Sequence, residues 1–149
     1  MVALSSQLRA LLFAEAERAR IAVAADCAAI SRWERPADQL RTLVNVGMLP
    51  PHYERIPVEQ TYPLDSFPAV AALLRHGRAY VDPDDVASRA IVAHQRYVSH
   101  AAVPVDVADR RWGELWVGRR RGTALLTGAD IDRLYLVADR LGDALGPHV

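Results

Sequence analysis

The chain has 149 residues, with 18 basic and 18 acidic side chains that give a formal net charge of zero. This balance disfavours nonspecific binding to nucleic acid or to a membrane surface, because both need an excess of basic side chains. Apolar residues make up 51% of the chain, which is typical of a folded domain. The single cysteine, Cys27, cannot form an intramolecular disulfide, and no apolar run approaches the roughly 20 residues that span a bilayer. These features predict a cytoplasmic protein without a signal peptide.

The N-terminal region predicts a helix followed by a β-hairpin. Residues 3–23 contain neither Gly nor Pro, and their apolar side chains recur at helical spacing. Residues 25–34 and 40–46 are typical of two strands joined by a polar turn at 35–38. Strict alternation predicts one shared face for four side chains of the second strand. These are Leu40, Thr42, Val44 and Val46.

The middle of the chain predicts a long loop and two short helices. Residues 47–63 contain four prolines, which discourage both helix and central strand. Such a loop is either a lid over a ligand or a plain surface excursion, and both interpretations stay open. A helix capped by Asp65 or Ser66 is expected to end at Gly77. A short strand follows it, and then a helix over about residues 83–96.

The stretch from Ala101 to Arg119 predicts the central hairpin of a sheet. Its first strand carries valine at every second position, which is the period of a half-buried strand. In the returning strand, alternation would place Trp112, Glu114 and Trp116 on one broad, buried face. Gly113 in the middle of that strand predicts the close approach of another backbone or of a ligand.

The last predicted element is a helix over residues 129–145, which begins with Thr127 and Asp130 in a capping-box arrangement. The whole pattern fits one α+β domain over residues 1–149, with a sheet core at about 25–120. We expect a central antiparallel sheet with the N- and C-terminal helices on one face. The middle segment of loop and short helices would then cover the other face, where a pocket could form.

Four stretches carry most of this pattern. They read ADCAAISRWE with LRTLVNVG, then YPLDSFPAVAALLRHGRAYV, then AAVPVDVADRRWGELWVGRR, then LTGADIDRLYLVADRLGDAL. In order and content they resemble a GAF domain, the small-molecule sensor module of signalling proteins, from about Ala10 to Leu145. The likeness is most specific where VPV, a turn and WGELWV follow one another. It implies a GAF/PAS-like fold and a sensory or regulatory role in bacterial signal transduction, where such domains precede cyclase, phosphodiesterase, kinase or transcriptional output domains.

By this resemblance, a ligand would bind between the sheet and the segment from Gly47 to Tyr97. Aromatic rings with polar tips suit a pocket for a planar ligand. The predicted ligand-binding side chains are Tyr62, Phe67, Tyr80, His94, Tyr97 and His100. The aromatic members suit an ordinary core equally well, and the sequence favours that interpretation because no polar cluster accompanies them.

No cofactor is identified from the sequence. Cys27 lies among small apolar residues, which predicts a buried thiol rather than a nucleophile, a redox sensor or a bilin anchor. Some GAF sensors bind haem through one histidine, but neither His94 nor His100 lies in a close-spaced metal motif, so no metal site is predicted. The signature of cyclic-nucleotide GAF domains is not recognisable. Bilin, haem and cyclic nucleotide therefore stay open but disfavoured.

Charged clusters are predicted to be structural, and no catalytic motif is present. The acidic residues at 82–85 suit a helix start better than a cation site, and the arginines at 110–111 and 119–121 suit solvated strand ends. Without a phosphate loop, an activated serine or a paired carboxylate motif, we expect no enzyme. The prediction is a non-catalytic sensory domain that binds an unidentified small molecule and signals through its terminal helices to a partner or output domain. We also expect this sensory domain to form a homodimer. The alternative is a structural homodimerisation module without a ligand.

Overall fold

The computed structural model describes residues 4–95, 97–120 and 124–149, without the side chains of residues 94 and 95. The helices and strands that it describes are α1 (Ser6–Ala22), β1 (Cys27–Glu34), β2 (Gln39–Gly47), β3 (Thr61–Pro63), α2 (Pro68–His76), β4 (Tyr80–Val81), α3 (Val86–Gln95), β5 (Tyr97–Val107), β6 (Arg110–Arg120) and α4 (Gly128–Leu145). Short 3-10 turns occur at Leu64–Ser66 and Gly146–His148. No helix in these described ranges is long and apolar enough to cross a bilayer.

The six strands form one sheet in the order β3-β2-β1-β6-β5-β4, and each neighbouring pair is antiparallel. The β5–β6 hairpin has the largest paired length, and β6 also pairs with β1. Its turn residues Ala108 and Asp109 both have positive φ angles, 50° and 63°, as a two-residue turn between twisted strands requires. A Cβ added to Gly113 would lie 2.0 Å from the Ser31 carbonyl oxygen, which confirms the predicted close approach of a backbone.

Two apolar clusters flank the sheet, one on each face. The larger cluster packs α1 and α4 against the sheet through side chains such as Leu12, Leu141 and Val103. The smaller cluster packs α2 and the Leu64–Ser66 turn against the opposite face. The predicted α+β architecture is confirmed, with terminal helices on one face and the middle segment on the other. Removing these apolar surfaces from water is the main term that stabilises such layers.

Two β-bulges overturn the predicted side-chain faces. In the β1–β2 pairing, Ile30 is opposite Val44 and Ser31 is opposite Thr42, so Leu43 is an extra residue. Thr42 therefore shares a face with Leu40, whereas Val44 and Val46 join the cluster beneath the terminal helices, and the predicted shared face of all four is wrong. An inserted residue has this effect because side chains alternate strictly along a strand.

The second bulge lies in the central hairpin. Val105 is opposite Gly113 and Asp106 is opposite Arg111, which leaves Trp112 as the extra residue. Trp112 packs on the cluster of the terminal helices, whereas Trp116 packs on the cluster of α2. The predicted common face of the two tryptophans is therefore wrong.

Most helix ends agree with those that the sequence predicts. The capping box of Thr127 and Asp130 is confirmed, and α2 ends at Gly77 in the left-handed region, with φ 69°. Asp85 caps α3 by accepting the Ser88 backbone N–H at 2.8 Å. The cap predicted for α2 is wrong, because Phe67 takes that position without a side-chain hydrogen bond. The loop at 47–63 also contains β3, which the prolines had argued against.

Candidate ligand-binding cavity

A small cavity lies between the sheet and the segment that covers its second face. Its volume is about 50 Å³, enough for a few water molecules. Of the predicted site residues, five side chains line it: Tyr62, Phe67, Tyr80, Tyr97 and His100. The side chain of His94 lies outside the described residues. The structure thus places these five side chains at one site, and their role in binding a ligand stays a prediction.

Aromatic rings pack edge to face around the cavity. The ring centres of Tyr97 and Trp116 are 5.2 Å apart, and those of Tyr80 and His100 are 5.7 Å apart. Such contacts give about 0.5–1.5 kcal/mol per aromatic pair beyond apolar burial. The rings therefore hold one another in place and leave a narrow, mostly apolar space.

His100 is a neutral hydrogen-bond donor in this wall. The Trp116 indole Nε1–H donates to His100 Nδ1 at 3.0 Å, so Nδ1 is unprotonated and the imidazole hydrogen lies on Nε2. The side chain is buried, and burial lowers the pKa of His100 below its usual 6.5. Nε2 has no hydrogen-bond partner among the described atoms.

Glu114 is the second incompletely bonded polar group of the cavity. It is 3% exposed, and it shares a hydrogen bond with the Tyr80 hydroxyl, while its Oε2 has no partner in the described part of the chain. Burial raises the pKa of Glu114 to about 8, although the bond to Tyr80 opposes this shift. Burying a polar atom without a partner costs about 1–3 kcal/mol, so a ligand that bonds these atoms would recover that cost.

The other polar side chains of the wall are bonded to one another. The hydroxyls of Ser31 and Thr42 lie 3.0 Å apart. The Asn45 amide donates to Gln60 Oε1 at 2.9 Å, and the Gln60 amide donates to the Tyr62 hydroxyl at 2.8 Å. These pairs fix the positions of three strands around the cavity.

Cys27 is the buried thiol that the sequence predicts. It is 1% exposed, and its Sγ lies 3.1 Å from the Tyr97 hydroxyl oxygen. Burial raises the pKa of the thiol to about 11, so it is protonated and unreactive near neutral pH.

A chain of hydrogen bonds links the cavity wall to the start of α4. The Asp82 carboxylate accepts the backbone N–H of His100 at 2.7 Å and the Ser99 hydroxyl at 2.7 Å. The Ser99 Oγ in turn accepts the backbone N–H of Leu126 at 2.9 Å, directly before the capping box of α4. The acidic residue at 82 is therefore part of a connection rather than of a helix start.

Two arginines that we predicted to be solvated are instead structural. Arg111 donates to the carbonyls of Leu73 and Leu74 at the end of α2, at 3.0 and 2.9 Å. Arg119 donates to the carbonyl of Val23 after α1 and pairs with Asp130 of α4 at 3.6 Å. Arg111 thus bonds the carbonyl of Leu74 near the C-terminal end of α2 and adds a second bond to the carbonyl of Leu73, which also accepts the Gly77 N–H, and Arg119 bonds the carbonyl that follows α1. Arg110 is exposed as predicted, and the residue at 121 lies outside the described ranges.

The sequence analysis did not select Glu114 or Trp116 as site residues. A signal was present, since a carboxylate between apolar residues of a central strand is rarely buried without a purpose. Among the residues described, no group of three His, Cys, Asp or Glu side chains could hold a metal ion. The expected absence of a metal stays a prediction.

Structural comparison identifies the fold, whereas no family model and no curated protein matches the sequence. A GAF domain/HD domain protein from Geobacter sulfurreducens superposes with a TM-score of 0.75 and 15% identity, over 99% of this chain and 96% of that one. The photoproduct state of GAF3 from Slr1393 of Synechocystis superposes with a TM-score of 0.73 and 16% identity, over 95% of this chain and 94% of that one. A phycoerythrobilin-bound GAF domain from a cyanobacterial phytochrome superposes with a TM-score of 0.76 and 13% identity, over 95% of this chain and 86% of that one. The chain therefore has the fold of a GAF domain, as the resemblance predicted.

A bilin, which the last of these neighbours contains, does not fit the described cavity. The cavity of about 50 Å³ is several times smaller than the roughly 300–1,000 Å³ of pockets for drug-sized ligands. The only cysteine of the chain, Cys27, lines this cavity, but its Sγ contacts the Tyr97 hydroxyl and burial raises the pKa of the thiol to about 11, so the thiol is not activated for attachment. The same volume argument applies to haem and to a cyclic nucleotide in this conformation.

Proposed function

We propose that this chain is a non-catalytic sensory domain of bacterial signal transduction, which binds a small molecule in the cavity between the sheet and the middle segment. We infer one domain over residues 1–149, placed in the cytoplasm. The observation that carries the proposal is the pair of buried, unpartnered polar atoms on the cavity wall, Glu114 Oε2 and His100 Nε2. The likeness of fold to sensory GAF domains supports it. The predicted contacts from Tyr62, Phe67, Tyr80, His94 and Tyr97 belong to the same proposal.

The signal would pass from the cavity to the terminal helices. A ligand that bonds His100 acts on β5, whose backbone is held by Asp82, and Ser99 continues this connection to Leu126. Arg119 joins α4 to the end of α1 through Asp130 and Val23. These contacts give the ligand a physical route by which to favour one packing of the helices over another. A partner protein or an output domain would read that packing.

Ligand size follows from how far the middle segment moves. In the described conformation the space suits a ligand of a few heavy atoms. A larger ligand requires Tyr53 or Phe67, which lie outside the strands in the covering segment, to move away from the sheet. Opening and closing of that segment is then the conformational change that binding selects.

Native mass spectrometry of the purified full chain tests the proposal. We expect extra mass that is lost on denaturation, or mass gained after incubation with a cell extract of small molecules. The variant Ala29→Leu fills the cavity from β1, where Ala29 is 6% exposed, and we expect it to lose the extra mass. Ala37→Leu in the exposed β1–β2 turn is the matched control. Equal retention of mass by both variants would contradict binding at this site.

Homodimerisation without a ligand is the second candidate function. One exposed face of α1 carries Ala10, Ala14 and Ile21, with Glu17 between the last two, and Ile21 is 65% exposed. These residues follow helical spacing, so two copies of α1 could pack against each other. A ligand-free dimer in the native mass spectrum would favour this candidate.

A further inference from the structure

The described cavity wall contains an acidic side chain and no basic one. Glu114 is the only Asp or Glu among the described lining residues, and no Lys or Arg belongs to the described lining. Arg120, whose guanidinium carbon lies 6.0 Å from the centre of the Tyr97 ring, is not part of that lining. A negatively charged ligand would thus meet a carboxyl group and no balancing cation within the described wall.

The two unpartnered atoms, Glu114 Oε2 and His100 Nε2, determine which groups a ligand must offer. An ionised Glu114 Oε2 accepts a hydrogen bond, and a planar amidinium or guanidinium offers paired N–H donors that match a carboxylate. The imidazole of His100, fixed by Trp116, presents an N–H that needs an acceptor. Aromatic rings of Tyr80 and Trp116 line the same space, and the face of such a ring attracts a cation.

We propose that the cavity recognises a small planar organic cation of the amidinium or guanidinium class, with its N–H groups on Glu114 and a hydrogen-bond acceptor, where the ligand has one, on His100. This inference rests on the proposed sensory function and assigns its ligand class. It disfavours carboxylates and phosphates, because the described lining contains no Lys or Arg that could balance their negative charge.

Binding of such a cation would also change the protonation of the site. Without a ligand, burial keeps a proton on Glu114 up to about pH 8. A bound cation stabilises the carboxylate and lowers this pKa, so the proton is released as the ligand binds. The titratable groups of the same wall remain neutral: the pKa values of Tyr80 on β4 and Tyr62 on β3 are raised, and burial lowers the pKa of His100 on β5. Affinity should therefore increase as the pH rises towards 8.

Three probes of nearly equal shape separate charge from size. Acetamidinium, acetamide and acetate are planar and similar in volume, and they carry positive, zero and negative charge. The measurement is the indole N–H resonance of each tryptophan in a ¹H–¹⁵N NMR titration of the full chain to 50 mM probe. Trp116 lines the cavity, whereas Trp33 and Trp112 do not and serve as internal controls.

We expect acetamidinium alone to shift the Trp116 signal in a saturable way, with a millimolar dissociation constant that falls at least threefold from pH 6.5 to pH 8. The variant Glu114→Gln should weaken acetamidinium binding at least tenfold, and Glu54→Gln at an exposed position should leave it unchanged. Unshifted Trp33 and Trp112 signals confirm that a variant is folded. If Glu114→Gln does not fold, the comparison of the three probes on the wild-type protein still decides.

The other outcomes overturn the inference in distinguishable ways. Acetate or acetamide that shifts Trp116 as strongly as acetamidinium shows a ligand site of another class, and the proposed function stands. If none of the three probes shifts the Trp116 signal, the cation class is rejected. A bound mass that Ala29→Leu removes would then still support a sensory site. If no probe shifts the Trp116 signal and no bound mass is found, both the ligand class and the proposed sensory function are contradicted.

Discussion

The carboxyl group of Glu114 makes the stability of the fold depend on pH in an unusual direction. Its pKa is about 8 in the folded protein against an ordinary 4.5, so the folded state holds a proton that the unfolded state has lost. Stability therefore falls as the pH rises between these values. The pKa of His100 is lowered from its ordinary 6.5, so below about pH 6.5 this side chain makes the stability rise with pH instead. Cys27 affects the pH dependence of stability only near and above pH 9.0, which is the ordinary pKa of a cysteine thiol.

The window from pH 6.5 to pH 8 therefore isolates Glu114. We predict that the free energy of unfolding of the wild-type protein decreases by about 1.5 kcal/mol across it, since one proton corresponds to about 1.4 kcal/mol per pH unit and Glu114 itself begins to lose its proton in the folded state near pH 8. In Glu114→Gln the same curve should be nearly flat, and at pH 8 the variant should be the more stable protein. Urea denaturation at a series of pH values measures both curves. A wild-type curve as flat as that of the variant would show that Glu114 titrates normally.

At the scale of elements, Ser99 connects the sheet to α4. Its hydroxyl donates to Asp82 and accepts from the Leu126 backbone N–H, and Ser99 is fully buried. We predict that Ser99→Ala destabilises the fold by about 1–3 kcal/mol, because the Leu126 N–H loses its partner. Hydrogen exchange at Leu126 and in the first turn of α4 should become faster, whereas α1 should keep its protection. Ser66→Ala, at an exposed position, is the control, and equal exchange in both variants would argue against the connection.

The sequence predicted elements well and their exact faces poorly. Hydrophobic period, turn residues and capping motifs are local, so the helices and the central hairpin followed from them. The bulges at Leu43 and Trp112 depend on pairing with another strand, which no local period contains. Two adjacent apolar residues, Leu43 and Val44, were the available sign that the alternation breaks.

The candidate site was predictable in its aromatic part and not in its polar part. Tyrosines in the covering segment suggested a wall, and five predicted side chains do line the cavity. Alternation did place Glu114 on a buried face with Trp116, but its importance depends on how few hydrogen-bond partners it finds there, and the side chains around it, Tyr80 and His100, come from other strands. Arg111 and Arg119 likewise looked solvated because their partners are backbone carbonyls far away along the chain.

For the whole molecule, signal transfer through terminal helices is most direct if two copies pair along them. The exposed face of α1 carries Ala10, Ala14 and Ile21, together with Glu17, which pairs with Arg20 of its own helix; the two alanines allow close helix packing. Leu136 on α4 is also exposed, at 72%, but acidic and basic residues surround it in sequence. For a dimer, we therefore expect the contact on α1, where two exposed alanines allow close approach, rather than on α4.

Sedimentation velocity of the full chain tests this assignment. We predict a wild-type dimer that Ala14→Glu converts to a monomer, because the substitution places like charges opposite each other across the two-fold contact. Leu136→Glu, a matched change on the charged face of α4, should leave the dimer intact. A wild-type monomer would instead favour transfer of the signal to a covalently attached or separate partner through α4, whose first turn the Ser99 connection reaches.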